Sequence, residues 1–312
     1  METPQLISRQ QALAAGLSDK DLRRLCRTGR WQRLRAGHYL DAPRRDLDAS
    51  VRHQLLAIAT AETTSESAIT SHCSAAVLHG MSTWDIPLDR VHLTRDRING
   101  GRMSRHVIVH AARLEFDEIT IVHGISVTTA ARTVIDVARS EGFEQSVALG
   151  DSALRHGLTS TAELQEHLRR ARHRPGCRKA GQVVQFLDGR SASVGESRSR
   201  IVFHRGGLPS PDLHARVFSD DGICVGRVDF LFPDLGVIGE FRNALHGPRS
   251  REQVAVTETK RDGRLHALGW MVVRWTWDDL ADPTCLAHRI HIAAQLAGRT
   301  HRRGHWTATP QP

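Results

Sequence analysis

The chain has 312 residues, with 43 basic side chains against 34 acidic ones, giving a net charge of +9. At 40% hydrophobic and 25% charged, it has the balance of a folded protein of two or three domains, which excludes wholesale disorder. No apolar run approaches the roughly 18 residues a membrane helix needs, and METPQLISRQQ lacks a basic-then-apolar leader, so no membrane partner and a cytoplasmic location are expected.

The first 45 residues form a compact unit. Ser8 is placed to cap a helix over 9–15 that stops at Gly16. Ser18 starts a second helix, with Asp21 completing a capping box and Gly29 ending it. Trp31–Leu34, a turn at Arg35-Ala36-Gly37, and His38–Leu40 then read as a hairpin. Helix, sharp turn, helix and hairpin make the layout of a winged helix-turn-helix. Lys20, Arg23, Arg24, Arg27, Arg30, Arg33 and Arg35 face Asp21 alone in this stretch. Such a face suits the phosphates and guanine edges of double-stranded DNA. A solvated basic helix without a partner is the other reading of the same residues. The 40 Arg against three Lys fit a coding bias as well as a function.

Residues 46–180 form a mixed α/β middle region. Helices are expected over 47–60, 72–79, 127–138, 146–155 and 161–172, the last capped by Thr161, with strands over 90–94 and 107–110. His72 and His79 share a helical face, but no third ligand lies nearby in sequence, so they read as ordinary histidines rather than a metal pair. The basic stretch 169–179 around Pro175-Gly176 reads as a flexible connector. Five cysteines lie far apart with no CxxC pair, which argues for free thiols in a reducing compartment.

Residues 190–297 carry the most specific constellation, and 298–312 read as a frayed tail. Glu196 opens a helix that ends at Gly206-Gly207, and strands follow over 213–219, 226–232 and 236–241. A helix over 254–268 and an apolar strand over 270–277 come next, then a helix over 286–296. With a two-residue loop at Asp234-Leu235, paired positions sum to 469 and Asp229 faces Glu240. Two facing carboxylates repel, unless a cation such as Mg2+ lies between them. A shifted register would leave both solvated and unrelated.

The order Glu196, Val228-Asp229-Phe230, Gly239-Glu240-Phe241, Leu268-Gly269-Trp270 and Arg274-Trp275-Thr276-Trp277 resembles the PD-(D/E)XK superfamily, nearest its Vsr endonuclease relatives. The first 45 residues resemble the winged-helix domain of AbiEi-type antitoxins, type IV antitoxins that repress their own promoter. The resemblance implies an α+β multidomain chain: an N-terminal winged helix-turn-helix, the α/β middle region and a restriction-endonuclease-like α/β domain. It implies a Mg2+ site at Asp229 and Glu240, assisted by Glu196. Where this superfamily carries a lysine two residues after the glutamate, this chain has Arg242, which cannot act as a base. His246 and Lys260 are the candidates to replace it. Two functions are therefore expected, in this order. The first is a DNA-binding regulator, with a cognate toxin of nucleotidyltransferase-like class implied. The second is a Mg2+-dependent endonuclease with catalytic Asp229, Glu240, Glu196, His246 and Lys260.

Overall fold

The computed structural model describes residues 4–41, 47–64, 67–242 and 251–310, without the side chains of 251–257. Two compact units are present: residues 1–153 with 157–185, and residues 154–156 with 186–312.

The first unit opens with β1 (Gln5–Ser8), α1 (Arg9–Ala14), α2 (Asp19–Arg27), β2 (Gln32–Arg35) and β3 (His38–Asp41). Ser18 caps α2 through the box with Asp21 that the sequence pattern predicts, and Ser8 caps α1 through a second reciprocal box, with Gln11. Gly37, at φ +78°, turns β2 into β3, a conformation glycine adopts without strain. The hairpin gains a third strand, because β1 pairs with β3.

Next come α3 (Ala49–Ala61), β4 (Ala68–Thr70), α4 (His72–Leu78), β5 (Val91–Arg95), β6 (Arg102–Met103), β7 (Val107–Ala111), β8 (Ile119–Val122) and β9 (Ile125–Thr128). The helices α5 (Ala130–Ser140), α6 (Phe143–Arg155), α7 (Thr161–Arg170) and α8 (Cys177–Phe186) follow. Six strands form one sheet in the order β6-β7-β5-β4-β9-β8. Leu34 and Leu40 of the hairpin share a core with Leu55 and Ala59 of α3, so the boundary expected at residue 45 falls inside one core.

Three local expectations are corrected here. Ser160, not Thr161, caps α7, with Glu163 as its reciprocal partner. Val127 and Thr128 belong to β9, and the helix starts only after Thr129, whose hydroxyl accepts from Arg132 N. The basic stretch 169–179 is no connector: Arg174 donates to the Arg113 carbonyl at 3.0 Å, and α8 begins at Cys177.

A buried ionic cluster ties α5 to the loop before β8. Arg132, only 2% exposed, donates to Glu118 and, at 2.8 Å, to Asp136, which also accepts from Arg139 at 3.0 Å. Burial pushes both carboxyls up, yet the hydrogen bonds and charges around them, Arg132 among them, hold both below the ordinary carboxylate range.

The second unit contains α9 (Val194–Arg205), β10 (Asp212–Leu213), β11 (Arg216–Phe218), β12 (Cys224–Arg227), β13 (Phe230–Phe232) and β14 (Val237–Phe241). It continues with α10 (Arg251–Ala267), β15 (Met271–Trp275), α11 (Pro283–Ala297) and β16 (His305–Thr307). The two long strands expected over 213–219 and 226–232 are each broken in two. His214 sits at φ +53°, and the chain leaves one sheet for another at 214–215 and again at 228–229. The result is one sheet ordered β10-β13-β14-β15 and another ordered β12-β11-β16. Across the kink, His214 N donates to the Asp229 carbonyl at 2.9 Å and Val228 N to that of Ala215 at 2.9 Å.

Phe203 of α9 packs edge-on against Phe230, Phe232 and Trp275, giving this unit its aromatic core. The tail is corrected too. β16 pairs with β11, His305 stacks on Phe218, and Trp306 meets Trp270 edge-on. Among the described residues no helix is long and apolar enough to cross a membrane.

Candidate functional site

The amino-terminal basic face is carried by α2 and the hairpin. Lys20, Arg23, Arg24, Arg27, Arg30 and Arg33 are exposed. Arg24 is paired with Asp21 at 3.0 Å, and Arg23 Nε donates to the Asp19 carbonyl at 3.2 Å. Arg35 points elsewhere: it is half-buried and donates to Thr60 of α3 at 2.5 Å. Its role is to hold the hairpin on α3, and the free basic face is smaller than the sequence suggests.

The carboxylates of the second unit gather at the kink between its two sheets. Phe230 pairs with Gly239, Leu231 with Ile238 and Phe232 with Val237, all positions that add to 469, so Asp229 continues the register towards Glu240. Asp229 Oδ2 accepts from Phe241 N at 3.0 Å. Gly239 is required beside it, because a Cβ there would lie 2.5 Å from the Trp275 ring.

Glu196, in the first turn of α9, accepts from Ala192 N at 2.8 Å and lies 3.0 Å from His214 Nε2. Burial and the nearby charge of Glu196 push the Asp229 carboxyl up to about 6.

Glu240 is not a free carboxylate. Arg261 donates to its Oε1 at 2.5 Å and Arg274 to its Oε2 at 2.9 Å, and Arg274 also forks onto Asp262 at 2.8 and 2.6 Å. The pairing logic that sets Asp229 against Glu240 overlooks the next strand. There β15 runs parallel to β14 and puts Arg274 in register with Glu240. Arg242 is engaged by Glu258 at 2.5 Å, and Lys260 is exposed on α10. His246 lies outside the described residues.

His72 and His79 are not a pair. His79 Nε2 donates to the Thr128 carbonyl at 2.8 Å, whereas His72 meets His92 and His110. Those two histidines, on β5 and β7, are the residues the sequence reading missed; no local spacing announces them.

Residues 2–40 match the family described as transcriptional regulator, AbiEi antitoxin. Over 181 residues the chain is 32% identical to the uncharacterized protein Rv2248 of Mycobacterium tuberculosis strain H37Rv. It is equally identical to the uncharacterized protein MT2308 of strain Oshkosh. Each match spans 57% of this chain and 66% of the relative, just under two thirds of the relatives' own length. The crystal structure of the RV2827C protein from Mycobacterium tuberculosis aligns over 58% of this chain and 72% of that one, at a TM-score of 0.38 and 14% identity.

Proposed function

We propose that the protein is a DNA-binding regulator of antitoxin type, reading double-stranded DNA through a winged helix-turn-helix made by α1, α2 and the β2–β3 hairpin. One observation carries this reading. Lys20, Arg27, Arg30 and Arg33 stand exposed with no ion-pair partner among the described residues, on the segment that matches the AbiEi antitoxin family. Unpaired guanidinium groups on a helix and an adjoining strand are suited to displacing counterions from phosphates. A cognate toxin of nucleotidyltransferase-like class belongs to the same proposal, and its test is co-purification from a strain expressing the neighbouring genes.

The DNA reading is tested by anisotropy on duplexes from the region upstream of the protein's own coding sequence, across a salt series. Arg27→Ala and Arg33→Ala are each expected to weaken binding about tenfold and to reduce the salt slope by about 1. Unchanged slopes in both variants would remove this face from the interface.

The second reading is a Mg2+-dependent phosphodiesterase of PD-(D/E)XK type, favoured by one observation: at the kink His214 joins Glu196 and Asp229, its Nε2 3.0 Å from Glu196 and its N donating to the Asp229 carbonyl at 2.9 Å. The Asp229–Glu240 pair does not fit a metal as arranged, because both Glu240 oxygens are taken by arginines. Supercoiled DNA incubated with Mg2+ tests it. Nicking that Asp229→Asn abolishes would support the reading, and no nicking above buffer would end it.

A further inference from the structure

Three histidines from three separate elements meet inside the first unit. His72 opens α4, His92 lies on β5 and His110 on β7. One ligand nitrogen from each lies within 4.8 Å of the other two, and no other such group of three His, Cys, Asp or Glu occurs among the described residues. His110 Nε2 and His92 Nδ1 are hydrogen-bonded at 3.2 Å, so the proton between them must move to the outer nitrogen of its ring before both can face an ion. Two nitrogens bound at about 2.0–2.1 Å to one tetrahedral ion lie about 3.3–3.4 Å apart, so these two already stand at the spacing of neighbouring ligands.

The surroundings are built rather than incidental. Ser71 Oγ accepts from the Thr94 hydroxyl at 2.7 Å and lies 3.0 Å from His72 Nδ1, which leaves His72 Nε2 to face an ion. Outer partners of this kind fix the tautomer and orientation of a metal-binding imidazole. Ser71 is drawn into this chain although it precedes α4, where a serine would ordinarily cap; it makes no cap hydrogen bond. His72 is held at φ +51°, a strained conformation for a residue with a Cβ. His72 is buried and His92 and His110 are half-buried, surroundings that favour the neutral imidazole, the form that binds metal. The charge of Asp136 acts on His72 and His110 in favour of a cation, while Arg132 opposes it at His72 and Arg139 at His110.

We propose that His72, His92 and His110 form a binding site for a divalent transition ion of zinc type, tying α4 to β5 and β7. Imidazole selects this class over Mg2+ or Ca2+, which prefer oxygen. Three nitrogens leave a fourth position open to water or an incoming ligand. The His72 ring now stacks on His110 at 3.7 Å with planes 15° apart. An ion lies in the plane of each imidazole that binds it, so loading turns the His72 ring off that face.

The test uses the full chain, stripped with chelator and titrated with Zn2+ and Co2+. One equivalent is expected to bind, with tetrahedral Co2+ absorption and a raised unfolding temperature. His92→Gln and His110→Gln should each weaken binding by at least about 100-fold, whereas His79→Gln should leave it unchanged. X-ray absorption on the Zn2+-loaded parent keeps the proposal testable even if the variants unfold: a nitrogen shell with imidazole scattering supports it. A sulfur shell, from the exposed Cys224 and Cys285, overturns it. So does the absence of stoichiometric binding, or full binding in folded His92→Gln and His110→Gln.

Discussion

Replacing Arg132 with methionine is expected to destabilise the first unit by about 3–5 kcal/mol. The side chain is 2% exposed and lies between Glu118 and Asp136, themselves 2% and 1% exposed. Removing the guanidinium leaves two carboxylates in a site that water does not reach, and an unpaired buried charge is far more costly than the net worth of the pair. Arg139 and His167 remain near them, Arg139 on Asp136 at 3.0 Å and His167 at 3.4 Å from Glu118, so part of the charge compensation survives the substitution. Urea denaturation followed by circular dichroism measures it. The triple variant Arg132→Met, Glu118→Gln, Asp136→Asn should recover a large part of the loss, because it removes the charges together. A loss below about 1 kcal/mol in the single variant would show that solvent reaches the cluster.

Asp229→Asn is expected to have the opposite sign. The Asp229 carboxyl stands at about 6, against an ordinary 3.8. Between those values the folded protein holds a proton that the unfolded chain has released, so stability falls as pH rises from about 4 through about 6. Above pH 6 the folded state carries a carboxylate opposed by burial and by Glu196. Asparagine keeps an oxygen to accept from Phe241 N and carries no charge. The variant should therefore be more stable than the parent by about 1–3 kcal/mol at pH 7.5, with the gain vanishing near pH 4. Melting temperatures across that range decide it; a gain that persists at pH 4 would mean that charge is not the cause. Residues kept at such a disadvantage are common at functional centres, which is why Asp229 merits the DNA-nicking assay.

What the sequence makes legible is local. Ser18 announces its helix because its capping partner Asp21 lies three residues away, and Ser8 does so as a capping residue just before a helical run. The β13–β14 register follows from a single turn. Arg274 beside Glu240 depends on a parallel strand that returns only after α10, and hairpin arithmetic contains no rule for that pairing. The three histidines are harder still: His72, His92 and His110 meet because β5 pairs with β7 in parallel and β4 leads into α4. Arg35 reads as part of the basic face until Thr60, 25 residues on, claims it.

The pairing of His305–Thr307 with β11 bears on how the protein behaves in concentrated solution. β16 closes the outer side of the β12-β11-β16 sheet, and its Trp306 covers part of Trp270. Without it, β11 would present unpaired amide and carbonyl groups beside an uncovered indole, a template for strand addition by a second molecule. Residues that look dispensable by composition are thus expected to guard against self-association. A chain shortened after Gly298 should form soluble oligomers or precipitate where the intact protein does not.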